Sequence, residues 1–97
     1  MHYRFEWDEF KARANAVKHG VTFDEAQTVF TDRWALEAYD GDHSIYEERL
    51  RITGLSDHNR LLIVAFTLRD FETIRIISAR QVTRNEERAY EENLRTP

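Results

Sequence analysis

The sequence contains no cysteine, so neither disulfides nor thiolate metal sites hold it together. That fits a reducing compartment, and a cytoplasmic location is the expectation. No apolar run approaches the length of a membrane span; even Leu61 to Leu68 is far too short. The opening MHYRFEWDEF lacks the apolar core of an export signal. There is no glycine-rich phosphate loop and no nucleophile elbow. The four histidines, His2, His19, His43 and His58, include no pair at metal-ligand spacing. The acidic stretch Asp40-Gly41-Asp42-His43 lacks the alternation and terminal glutamate of a calcium loop and reads as a solvated turn. The expectation is therefore no metal, no cofactor and no membrane partner.

What is present is 97 residues with a formal net charge of −4. That length makes a single domain, 1–97, able to bury one core with little margin. A free-standing nucleic-acid binder is usually basic, which weighs against that class. The charges are segregated, however. Carboxylates crowd into Glu6–Glu9, Asp40–Glu48 and Glu86–Glu92, while the central strands carry arginines with few acids. A local positive face on an acidic protein is compatible with that pattern.

Tyr3 to Trp7 alternates aromatic and polar residues and reads as a first strand. Asp8 caps a helix running to about His19, with Phe10, Ala14 and Val17 as its apolar stripe and Gly20 as its stop. Thr22 and Glu25 form a capping box for a second helix ending near Phe30 or Thr31. Phe23, Ala26, Val29 and Phe30 give its buried side. Strands are expected at Trp34 to Tyr39, about Tyr46 to Leu55, Leu61 to Arg69 and Thr73 to Arg80. In the second of these, Leu50 and Ile52 alternate with Arg49, Arg51 and Thr53, so one side faces a core. A polar turn at Ser56 to Arg60 and a tight connection at Arg69 to Glu72 join the last three strands. Thr83 and Glu86 form another capping box, opening a charged helix to about Arg95 with only a thin apolar side. The order β-α-α-β-β-β-β-α is an α+β domain with an antiparallel sheet of four or so strands.

The chemistry rests on arginines. Arg49, Arg69, Arg75 and Arg80 lie on or at the ends of adjacent expected strands. A guanidinium stays charged and pairs bidentately with phosphate oxygens, so these groups suit a phosphodiester. The alternative is that each pairs with an acid such as Glu47, Glu48 or Glu72. Alternation along a regular strand sends Arg75 and Arg80 to opposite faces; they share one only if a bulge intervenes or the strand ends first. His19 is a general acid–base candidate, though the helix dipole explains a histidine in a last turn equally well. Glu48 is a candidate base beside Arg49, or half of a structural ion pair. Phe5, Trp7, Phe10 and Phe23 read as core rather than as base-stacking platforms.

The stretch FEWDEFKARANAVKHGVTFDEAQTVF closely resembles the N-terminal half of BrnT-type toxins, through Phe5, Trp7, Asp8, Lys11, Asn15, Lys18, His19, Gly20, Phe23, Glu25, Ala26 and Phe30. DHSIYEERLRITGLS, the strand ending Thr67-Leu68-Arg69, and IRIISAR followed by a Glu-Arg-Tyr helix match as well. Gln81-Val82 and the acidity of the last helix depart from the pattern. The resemblance implies a RelE/ParE-like fold, with two N-terminal helices packed on a mainly antiparallel sheet and a C-terminal helix. It also implies the toxin half of a bacterial type II toxin–antitoxin pair, a ribonuclease that blocks translation. A BrnA-like antitoxin would bind it directly and carry the contact to operator DNA. An active-site role for Arg49, Arg69, Arg75 and Arg80 as a group is carried over, with Glu48 and His19 on matching positions. The competing class is a non-catalytic protein-binding toxin, or a degenerate toxin acting only in operon control.

Overall fold

Local signals set the first two helices. In the computed structural model, which describes residues 3–40 and 48–95, helix α1 spans Glu9–His19. The Asp8 carboxylate accepts from Phe10 N at 2.8 Å and Lys11 N at 3.1 Å, filling donors that a helix start leaves open. Gly20 ends the helix at φ 69°, a conformation that costs glycine little. Helix α2, Phe23–Thr28, begins where Thr22 Oγ accepts from Glu25 N at 3.1 Å. A 3₁₀ turn, Val29–Thr31, continues it.

Only half of the expected Thr22–Glu25 capping box forms. The Glu25 side chain is buried and turns instead to the loop at Ser56 to Arg60. It accepts from Arg60 Nε at 3.0 Å, Arg60 Nη2 and Ser56 Oγ at 2.7 Å, with His58 Nδ1 3.1 Å away. A buried carboxylate needs such partners, and a strong cation outcompetes a backbone amide for it. The Arg60 hydrogen bond, reinforced by Ser56 and His58 against the opposing effect of burial, holds the Glu25 carboxyl at about 2.

A five-stranded sheet follows, in spatial order β1-β5-β4-β3-β2. Its strands are β1 Arg4–Glu6, β2 Leu36–Tyr39, β3 Leu50–Leu55, β4 Leu61–Leu68 and β5 Thr73–Gln81. All neighbours pair antiparallel except β1, which lies parallel to the start of β5. The expected strand start at Trp34 moves inward to Leu36, and among the described residues β3 begins at Leu50. His2, the loop from Gly41 to Ser44 with His43, and the segment Tyr46-Glu47 lie outside them. The β4–β5 turn closes as expected, with Asp70 Oδ1 accepting from Glu72 N and Thr73 N, both at 2.8 Å.

The core lies between one face of this sheet and the two helices. Val21, Phe23, Ala26 and Val29 pack on Ile52, Leu62, Val64, Phe66, Ile74, Ile76 and Ala79. Phe30 stacks edge-on between Phe5 and Phe66, at 5.2 and 4.9 Å between ring centres.

Helix α1 contradicts its sequence pattern. Phe10 is 78% and Val17 88% exposed, and Ala14 faces water too. The buried residue is Asn15. Its side-chain amide donates to Ala79 O at 2.8 Å and Val21 O at 3.0 Å, while its carbonyl accepts from Ala79 N at 3.1 Å. So short a side chain reaches a strand backbone only if the helix lies close. That leaves room beside it for small residues such as Ala12, and the bulky stripe turns outward.

Helix α3, Arg84–Arg95, follows β5. Its capping box closes fully: Thr83 N donates to Glu86 Oε1 at 2.8 Å and Glu86 N to Thr83 Oγ at 3.3 Å. Tyr90 is its buried residue and donates its hydroxyl to Asp32 Oδ2 at 2.6 Å. Burial and the facing carboxylate push that hydroxyl up to about 12. Asp32 also accepts from Leu55 N at 2.8 Å and Trp34 N at 2.9 Å. Burial raises its carboxyl, but these donors outweigh that and hold it below the ordinary range. The junction is tight at Gly54, where a Cβ would lie 2.9 Å from Val29 Cγ1 and 3.1 Å from Asp32 Oδ2. No helix among the described residues is long and apolar enough to cross a membrane.

Two outcomes follow from these placements. Asn15→Ala strands both backbone groups of Ala79 and should cost about 2–4 kcal/mol, whereas Val17→Ser should stay within about 0.5 kcal/mol. Urea titration of both variants checks this. Glu25 titrates near 2 folded against 4.5 unfolded, so its contribution is complete above pH 4.5 and is lost as pH falls towards 2. At neutral pH that contribution is about 3 kcal/mol, and acid unfolding of Glu25→Gln should lack the corresponding steepening between those limits.

Candidate active site on the arginine face

The sheet face away from α1 and α2 gathers the arginines, and a single extra residue makes this so. Ala65 pairs with Ser78, but Phe66 pairs with Ile76, which leaves Ile77 as a bulge in β5. Arg75 therefore sits opposite Thr67 and Arg80 opposite Ile63. Thr67 and Ile63 are four residues apart on uninterrupted β4 and share a face, so Arg75 and Arg80 share it too. Their backbone positions remain about 13 Å apart, four residues of strand rise, and different carboxylates, Glu6 and Glu86, hold their side chains.

The expected arginines form two groups. Arg49 and Arg80, joined by Arg51, line a cleft of about 220 Å³ with Asp40, Ile63, Ala65 and Ser78. Asp40 is placed there by its N–H, which donates to Arg49 O at 2.9 Å. Arg75 and Arg69 gather instead around Glu6 of β1. Arg75 Nη1 donates to Glu6 Oε2 at 2.9 Å, and Arg69 Nε lies 3.8 Å from the same oxygen. Glu6 is directly opposite Arg75 in the parallel β1–β5 register.

Arg80 is held by the first turn of α3. Its Nη1 and Nη2 donate to Glu86 Oε1 and Oε2 at 2.8 and 2.9 Å, and Nη1 also donates to Gln81 O at 3.1 Å. The Arg80 hydrogen bonds, helped by Thr83 against burial, hold the Glu86 carboxyl at about 2. Ion pairing thus claims Arg75 and Arg80, but with Glu6 and Glu86 rather than the expected neighbours. Glu72 pairs with Arg4 at 3.6 Å, and Glu47 is outside the described residues.

The remaining candidates fall away from the cleft. Glu48 is exposed, just before β3, and does not line it. His19 closes α1 on the opposite side of the sheet. Sequence reasoning passed over Arg51, Asp40, Ser78 and Glu86 as site residues. Arg51 was within reach, because it alternates in step with Arg49. Ser78 and Glu86 depend on the bulge and on where α3 docks. No group of three or more His, Asp or Glu side chains among the described residues converges as a metal site.

The arginine cleft sits in a recognisable molecule. Residues 7–86 match the family model described as the ribonuclease toxin, BrnT, of a type II toxin–antitoxin system, and the chain belongs to that family. The fold is shared with the crystal structure of the Brucella abortus ribonuclease toxin, BrnT. The TM-score is 0.65 at 23% identity, over 84% of this chain and 99% of that one. No sequence among curated proteins matches.

Removing the guanidinium partner should release Glu86. In Arg80→Ala its carboxyl should climb from about 2 towards 4.5, stopping short because Thr83 N still donates to it. Carbon-detected NMR titration of the Glu86 carboxyl checks this.

Proposed function

We propose that this protein is the toxin of a type II toxin–antitoxin pair and an endoribonuclease that blocks translation by cutting RNA in the Arg49–Arg51–Arg80 cleft. The observation that carries this reading is the convergence of three guanidinium groups on one cleft of a chain whose net charge is −4. Membership of a ribonuclease toxin family points the same way.

In the proposed reaction the RNA supplies its own nucleophile. The 2′-oxygen attacks the adjacent phosphorus, and the bond to the 5′-oxygen breaks. The products are a 2′,3′-cyclic phosphate and a free 5′-hydroxyl. The proton leaving the 2′-hydroxyl needs a base, and the departing 5′-oxygen takes up a proton. Negative charge grows on the phosphoryl oxygens, and arginines fixed around them stabilise it without reorganising. Asp40 is the carboxylate that the cleft offers as base, and Glu48 stands just outside it. The guanidinium groups supply the positive charge for which other nucleases use metal ions, so cleavage is proposed to be metal-independent. Arg75 and Arg69, further along the same face, would hold a neighbouring stretch of the strand rather than the scissile phosphate.

A BrnA-like antitoxin is the proposed partner, with operator DNA reached only through it, in the cytoplasm. The RelE/ParE-like arrangement is proposed as the architectural relationship behind this activity.

Expression without the antitoxin should arrest growth, and the purified protein should cut RNA in buffer containing a chelator. Arg80→Ala and Arg49→Ala, folded to the same melting temperature, should lose about 100-fold or more in cleavage rate. Arg51→Ala should flatten the salt dependence of single-stranded RNA binding by about 0.7 in the log–log slope. Growth arrest with intact RNA at high protein concentration would reject the nuclease reading in favour of a protein-binding toxin. Continued growth would weaken both.

A further inference from the structure

We infer that Glu86 is a positioning residue for Arg80, fixing the plane of its guanidinium and leaving one two-donor edge for the phosphate. The inference rests on the proposed function in one respect only, that Arg80 is the group that meets the substrate.

A guanidinium has five N–H bonds: one on Nε and two on each terminal nitrogen. In Arg80, Nη1 spends both, on Gln81 O and Glu86 Oε1. Nη2 spends one, on Glu86 Oε2. The two that remain among the described residues, on Nε and Nη2, lie along one edge of the same plane. That edge is a fork of the shape that accepts two phosphate oxygens. Glu86 and Gln81 thus do two things. They lock rotation about the guanidinium, and they fill the donors that would otherwise offer competing orientations.

Glu86 is itself held. Its Oε1 accepts from Thr83 N at 2.8 Å as half of the α3 capping box. Helix start and guanidinium therefore share one carboxylate, and the carboxylate has little freedom to swing away. With an unpinned Arg80 the phosphate would have to orient the guanidinium during reaction, and misplacement of a catalytic group on that scale is costly.

The capping role gives a structural explanation to be separated. Thr83→Ala removes the other half of the same box, since Thr83 Oγ accepts from Glu86 N at 3.3 Å, without touching Arg80. Both Thr83→Ala and Glu86→Ala should lower the melting temperature. Measured on folded protein, only Glu86→Ala should lose kcat, by about 10- to 100-fold, with KM little changed. Glu86→Gln keeps an oxygen for Thr83 N but sets an amide against Nη2. It should melt near the wild type and still lose kcat several-fold. Equal kcat in Glu86→Ala and Thr83→Ala, an unaffected Glu86→Gln, or faster cleavage in either Glu86 variant would overturn the inference. A second measurement needs no RNA. The guanidinium nitrogen spectrum of Arg80 should show slow rotation, with separate Nη signals, in the wild type and in Thr83→Ala, merging in Glu86→Ala. Merged signals in the wild type would overturn the inference even if the protein is a nuclease. Separate signals in a protein that cuts no RNA would uphold the pinning and reject the nuclease reading alone.

Discussion

The pairing of Asn15 with Ala79 is the constraint on which the arginine face depends. Strand β1 spans three residues and pairs with β5 only from Thr73 to Arg75. Beyond that point the outer edge of β5 has no strand beside it among the described residues. Asn15 takes the place of one, giving a donor and an acceptor to the backbone of Ala79. Ala79 is two residues past the bulge at Ile77, and a bulged register has alternatives one residue away. With Ala79 clamped, the strand after the bulge is fixed, and so is the side of the sheet on which Arg80 emerges. The same contact draws α1 close to β5 and turns Phe10 and Val17 outward.

Much of the architecture was legible in the residues. Asp8, Thr22, Thr83 and Glu86 marked helix starts through side chains that satisfy backbone groups within three residues, and Gly20 marked a stop through its left-handed backbone. Such signals are local, and they held. The strands Leu50–Leu55 and Leu61–Leu68 held for a similar reason, since apolar runs divided by the polar turn at Ser56 to Arg60 are written directly into the chain. What failed was whatever tertiary contact decides. Phe10, Ala14 and Val17 have helical spacing, but spacing says only that they share a face, not that the face is the inner one. Asn15 claimed the inner face through a bond to a residue 64 positions away. Glu25 passed as a capping residue, but a distant arginine was the stronger partner. The register of β5 was the decisive gap. Nothing in TIRIISAR marks Ile77 as the extra residue, so alternation alone sent Arg75 and Arg80 apart.

The acidic composition also takes on meaning. Glu25 ties α2 to the β3–β4 turn. Asp32 ties the end of the 3₁₀ turn to β3 and α3. Asp70 closes the β4–β5 turn, Glu6 joins β1 to Arg75, and Glu86 joins α3 to Arg80. Glu25, Asp32, Asp70 and Glu86 each accept from several donors, which suits an ion with four acceptor sites. In a chain without disulfides these groups act as brackets between elements. Their negative charge is largely spent at short range on named partners.

The carboxylates that share the arginine face, Glu6 and Glu86, decide what field that face presents. At physiological ionic strength the salt atmosphere extinguishes fields over about 8 Å. An anionic group near the arginine side therefore senses only the charges within that distance, the guanidinium groups together with Glu6, Glu86 and Asp40 beside them. Guanidinium groups paired with carboxylates at so short a range attract only weakly from afar, so discrimination among anions falls to the geometry met on arrival.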